Sequence, residues 1–304
     1  MAGHDVERMM TNSAPISAVT AGIVCGAGAS LFWAAGFAGA RHGLDVGFAP
    51  ADLTFHRFAW AGLLLLPMVL RDGVGDLNGI GWGRGIVLTL LGGPGFALIS
   101  YSGFLLVPLG HGGVIQPSCA TLGGVLLAVL LLNEKLVPAR ALGAAVIVCG
   151  LIMFGGEAVM TIGSQGVLGD LMFATAGLMF ATFGALLRLW RVTANTASAA
   201  ISVLTLAGVP VYWALGGFER MIALGWWENI VQAVLQGLLA GPGALYLFIH
   251  AIMLLGAARA AVFPALVPPF VLLIGWLVLG ETPSALQLIG LAIVLVGFRL
   301  AQKG

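Results

Sequence analysis

Residues 130–150 read LLLNEKLVPARALGAAVIVCG, and residues 277–297 read LVLGETPSALQLIGLAIVLVG. At a constant offset of 147, Glu134 meets Glu281, Gly143 meets Gly290 and Gly150 meets Gly297. Each stretch ends one apolar run, turns through a charged break and opens another. The same offset brings Pro117 onto Pro264 and Trp33-Ala34 onto Phe180-Ala181. With one residue of slip, Gly93-Pro94-Gly95 meets Gly241-Pro242-Gly243. Agreement across markers this far apart reads as an internal duplication.

The duplicated unit is apolar throughout. Of the 304 residues, 60% are hydrophobic and 8% charged, with a mean hydropathy of +1.06. Soluble domains carry about 25% charged residues, so this chain lacks the polar surface a water-facing globule needs. Crossing about 30 Å of hydrocarbon takes roughly 20 apolar residues, so this length accommodates ten spans joined by short loops. The runs fall at about 18–40, 52–70, 84–106, 111–132, 137–156, 167–190, 197–217, 230–254, 258–279 and 284–301. They are continuous rather than alternating, which argues for helices and against barrel strands. The first run exceeds the roughly 7–15 apolar residues of a signal-peptide core and reads as a span. The expected organisation is an N-terminal tail over 1–17, a first five-helix repeat over 18–156 and a second over 167–301.

Five crossings is an odd number, so the two halves must lie in the membrane in opposite senses. Inverted repeats of this kind mark alternating-access transporters. With the N-terminus inside, the cytoplasmic segments hold ten Lys and Arg residues and the outer segments only Arg41 and Arg220. That bias places both termini in the cytoplasm. Size and the lack of eukaryotic sorting features favour a bacterial inner membrane.

Several stretches resemble EamA-type transporters of the drug/metabolite transporter superfamily. They are Leu31-Phe32-Trp33-Ala34, Arg57, and the paired endings around Glu134, Gly143 and Gly150 and around Glu281, Gly290 and Gly297. The resemblance covers roughly residues 18–300. It implies a ten-helix basket around a central cavity, with the fifth and tenth helices as supports. It also implies export of amino acids and related metabolites, or drug efflux. The family's Trp-Gly in the first span is Trp33-Ala34 here.

The residues themselves nominate a site. Both Gly-Pro-Gly stretches (Gly93, Pro94, Gly95 and Gly241, Pro242, Gly243) fall near mid-span, where proline removes a backbone hydrogen bond and glycine adds freedom. A carbonyl freed there must face protein or a wet cavity, which makes these breaks candidate hinges beside a substrate site. Pro117 and Pro264 are further candidate hinges. Arg57 is the ionised group lying well inside a span, and a guanidinium there either binds an anionic substrate or is structural, for example pairing with Asp52. His56 lies about 100° round the helix from it. Trp33, Tyr101, Gln116, Tyr246 and His250, with Ser100 and Ser102, are the polar and aromatic side chains that would line a pocket for an amphipathic metabolite. Tyr246 and His250, four apart, share a helix face. Glu134 and Glu281 read as structural carboxylates at helix N-termini, and the glycine pairs as close-packing faces.

Every Asp and Glu falls in a tail, a loop or a span end, so a proton route would run through His56, His111 or His250, or the chain is a facilitator. Cys25, Cys119 and Cys149 read as buried small hydrophobes with no disulfide or metal pattern. There is no His-Glu-x-x-His, Gly-x-Ser-x-Gly or phosphate loop. The expectation is a transporter rather than an enzyme, without cofactor, metal or nucleic acid. Its partners are a small-molecule substrate and the bilayer, and the small-residue faces would permit a homodimer. Drug efflux, a facilitator and a non-transporting scaffold are the rival readings.

Overall fold

The computed structural model describes residues 17–72, 75–77, 79–107, 109–135, 137–156, 160, 162–163, 166–279 and 283–302. A long apolar run in lipid can satisfy its backbone only within itself, and every regular element among the described residues is a helix. Helix α1 (Ala18–Val46) opens where the Ser17 hydroxyl accepts the Thr20 N–H and closes at a left-handed Gly47. Helix α2 (Pro50–Asp72) contains Pro67, whose ring crowds the carbonyl four residues back, and the helix bends by 47° between Leu63 and Leu65. Helices α3 (Trp82–Gly92) and α4 (Pro94–Gly103) meet at Gly93. Helix α5 (Leu109–Leu132) runs unbroken through Pro117, and α6 (Pro138–Gly155) begins with proline in its first turn.

The second half opens with α7 (Val167–Leu189). Next come α8 (Ala194–Thr205) and α9 (Val209–Ala214), joined by a 3-10 turn, and the connecting helix α10 (Gly217–Ala223). Helix α11 (Trp226–Gln232) continues through the widened segment Ala233–Gly243 into α12 (Ala244–Leu255). After Gly256, α13 (Ala257–Ala260) passes through the 3-10 turn Phe263–Leu266 into α14 (Val267–Leu279). Helix α15 (Ala285–Ala301) starts at a capping box between Ser284 and Gln287.

Among the described residues, eight helical stretches are long and apolar enough to cross a bilayer, or nine if the bent α2 is one span. The reading of ten counts both α2 and α15. Helix α15 is apolar but has 17 residues, about 26 Å of rise against roughly 30 Å of hydrocarbon.

Helices α6 and α15 pack along their length on their glycines. A Cβ on Gly143 would lie 2.7 Å from the Gly297 carbonyl oxygen, and one on Gly297 would lie 2.8 Å from that of Gly143. Gly150 and Gly290 face each other in the same reciprocal way, at 2.9 and 2.8 Å. These faces are therefore occupied inside the chain and not free for a second copy. Elsewhere α5 packs on α7, α1 on α12 and α14, and α2 on α8 and the widened segment. Gly22 of α1 lies against Leu254 and Leu255, and Gln302 donates to the Arg259 carbonyl. The chain thus enters and leaves the bundle at one end, called the near end here.

One expectation shifts. Cys149 is exposed on α6 rather than buried, while Cys25 and Cys119 are partly buried, and all three are free thiols. Glu281 lies outside the described residues.

Candidate functional site

A cavity of about 230 Å³ lies between the halves, in the part of the bundle away from the near end. Its floor is aromatic. Trp33 of α1 and Phe180 of α7 meet there with ring centroids 5.2 Å apart, and Phe96 of α4 lies 5.4 Å from Phe180. One wall is α4 with Ala97, Ser100 and Tyr101, and another is α5 with Gly112, Gln116 and Pro117. The wall opposite is apolar, made by Pro264, Val267, Pro268 and Val271, and the far ends of α6 and α15 contribute Phe154, Gly155 and Gln287.

Beneath Phe180 the bundle closes. A void of about 10 Å³ remains there, bounded by Phe180, Ala120 and Pro264, which also border the cavity. Further toward the near end, a Cβ on Gly124 would collide with Ala261, and Ala128 packs with Ala257 and Ala258. Small residues let α5 and α13 close that end.

The polar part of the cavity is a short chain of hydrogen bonds. Arg57 Nη1 donates to the Tyr101 hydroxyl at 2.9 Å, and that hydroxyl donates to Gln236 Oε1 at 2.8 Å. Gln236 Nε2 in turn donates to the Gly36 carbonyl at 2.6 Å. Ser100 donates to Gln116 Oε1 at 2.8 Å. The Arg57 side chain is 8% exposed, and its Nε is buried without a hydrogen-bond partner. Among the described residues no carboxylate pairs with it. Asp52, the partner considered from sequence, is taken: Arg220 grips it at 2.6 and 3.0 Å and the Tyr212 hydroxyl donates to it at 2.7 Å.

The kinks place this arginine. Gly93 and Gly241 both have non-helical backbone, with ψ of −136° and −107°. A Cβ on Gly241 would collide with the Arg57 carbonyl oxygen, and one on Gly237 would lie 2.6 Å from that of His56. The widened segment therefore rests directly on the α2 backbone beside Arg57. Beside Pro264, the Phe263 carbonyl accepts the Ser30 hydroxyl at 2.8 Å. Pro117 leaves its helix intact and lines the cavity.

Of the residues nominated from sequence, Trp33, Arg57, Tyr101 and Gln116 come together around the cavity. Tyr246 and His250 do not. They share a face, with rings 4.3 Å apart, but Tyr246 is 42% exposed and His250 Nδ1 pairs with the Tyr246 carbonyl of its own helix. The α12 face toward the bundle carries Leu245, Phe248, Ile249 and Ile252 instead. Glu134 lies 3.6 Å from Arg140 and beside Gly256 at the start of α13. Gln236 and Gln232 were not nominated. Each sits in an apolar run, four residues apart on one helix face, and Gln232 donates to the Gly39 carbonyl as Gln236 does to Gly36.

The histidines are held in place. His56 accepts from Trp60 at 2.9 Å and meets Asn229 at 3.1 Å. His111 is buried 2.7 Å from Asp170. Among the described residues no group of three or more His, Cys, Asp or Glu side chains is placed to hold a metal.

The two halves thus carry matched kinks, with a cavity between them. Residues 20–156 and 167–301 each match the EamA-like transporter family. The chain belongs to the EamA-like transporter family. The two matches fall one in each half of the chain, and the family description is of transporters. A solved structure described as "Crystal structure of protein" aligns with a TM-score of 0.71 at 20% identity, over 92% of this chain and 96% of that one. That likeness is one of fold. No curated protein matches the sequence. This EamA-like chain is thus a multi-pass membrane protein of transporter type.

Proposed function

We propose that the protein is a secondary transporter that exports a small amphipathic metabolite, of the amino-acid or related class, across a bacterial inner membrane by alternating access. In this reading α2 and α15 each cross the bilayer, giving ten spans, and the near end with both termini faces the cytoplasm. The observation that carries the reading is the cavity's placement: it lies between the two repeats toward one end, and small-residue packing of α5 on α13 closes the other. A site reached from one side at a time, flanked by paired helix breaks, is what alternating access requires. The excess of Lys and Arg at the near end supports the orientation.

The test is efflux from proteoliposomes loaded with a mixture of labelled amino acids and related metabolites, followed by mass spectrometry. Selective efflux of one class, lost in Arg57→Ala, supports transport through this cavity. Absence of efflux for every compound, with and without a pH gradient, overturns the reading.

A further inference from the structure

We infer that the cavity selects a small organic acid that has an apolar, ring-sized body and carries no ammonium group. The inference rests on the transporter reading and, within the class named there, takes the related acids that lack the amino group over the amino acids themselves. Arg57 is the starting point. Its guanidinium borders the cavity, is nearly buried, makes one hydrogen bond to a neutral phenol and keeps an unpartnered Nε. A buried cation without a counter-charge is costly, and a carboxylate arriving from the cavity supplies that charge with hydrogen bonds of the charge-assisted kind. The Tyr101–Gln236–Gly36 chain fixes the guanidinium from behind, so it is preorganised for such a ligand.

The rest of the lining decides against a zwitterion. Among the described residues that border the cavity there is no Asp or Glu. The Gln116 carbonyl oxygen already accepts from Ser100, and the Tyr101 hydroxyl already serves both Arg57 and Gln236. An ammonium group would leave water without an anionic partner, which disfavours it. Facing the polar wall are Val267, Pro268 and Val271, with the rings of Trp33 and Phe96 below, a surface suited to a hydrocarbon or aromatic body. The volume of about 230 Å³ lies below the roughly 300–1,000 Å³ usual for ligand pockets, so that body is small.

Three probes with one ring and one side-chain length separate the charge states: 3-phenylpropanoate, phenylalanine and phenethylamine. Thermal shift of the purified full-length protein reads binding, and efflux from proteoliposomes reads transport. The expected result is binding of 3-phenylpropanoate at least about tenfold tighter than phenylalanine, with phenethylamine weakest, and loss of the acid's effect in Arg57→Gln. Val271→Asp places a carboxylate on the apolar wall without disturbing Arg57, and should weaken the acid while admitting phenylalanine. That variant tests the inference even where Arg57→Gln does not fold. Preference for phenylalanine or phenethylamine over the acid, or binding of none of the three, overturns it. Binding of the acid without efflux leaves the inference standing and removes the transporter reading. Efflux of phenylalanine ahead of the acid does the reverse.

Discussion

The Trp33 ring stands edge-on to the Phe180 ring, centroids 5.2 Å apart and planes at 85°. The two residues are equivalents in the two repeats, 147 positions apart. The aromatic floor of the cavity is thus built from both halves, with Phe248 packed 5.0 Å from Phe180 and 5.1 Å from Trp33.

Replacing Phe180 by alanine should join the cavity to the small void beneath it. The loss of a buried ring costs roughly 3–5 kcal/mol, so the melting temperature should fall clearly in a detergent thermal scan. Proteoliposomes carrying Phe180→Ala should also leak small solutes irrespective of substrate, read as stopped-flow permeability. Unchanged permeability would mean that Phe180 does not seal the path.

Gly241→Ala forces a methyl group onto the Arg57 carbonyl oxygen. Overpacking of this kind costs about 1–3 kcal/mol, and here it also displaces the arginine, so stability and transport rate should fall together. Gly208→Ala, where an added Cβ meets nothing within 4 Å, should leave both unchanged. The comparison is made by thermal scan and initial efflux rate on the same preparations.

Tyr101→Phe removes the hydroxyl between Arg57 and Gln236 and leaves a buried Gln236 oxygen unbonded, at a cost of roughly 1–3 kcal/mol. The guanidinium is then free to swing. The expected outcome is a raised KM with a smaller change in maximal rate, measured by concentration-dependent efflux.

Tyr246→Ala and His250→Ala should leave transport within about twofold, because both side chains face outward from the bundle and surface substitutions usually shift stability by less than roughly 0.5 kcal/mol. A tenfold loss in efflux from either would place that face in the substrate path.

The backbone features were legible in the sequence because their chemistry is local. Gly93-Pro94 and Gly241-Pro242 break a helix wherever they fall, and the Gly143, Gly150, Gly290 and Gly297 spacing marks a face that admits another backbone. Arg57 was legible because a charge inside an apolar run must find something polar. What spacing does not carry is direction. Residues 246 and 250 share a face, as four-residue spacing requires, but nothing local says whether that face looks into the bundle or out of it. Asp52 found Arg220, 168 positions away, rather than the nearby Arg57, a choice made by tertiary packing alone. Gln232 and Gln236 could have been found by the same argument that found Arg57, since an amide in an apolar run also needs a partner.

The glycine seam between α6 and α15 has a consequence for how such a chain can evolve. It is self-complementary: each half offers the other the same helix and the same pair of glycines. A first half released from its partner would carry the surface needed to pair with a copy of itself through the same face on both. With two unlike halves tethered, one supplies Arg57 to the chamber while the other lines it with Pro264, Val267 and Val271. Joined in one chain, the repeats are free to become different from each other, and that difference is where a chemical preference can be written.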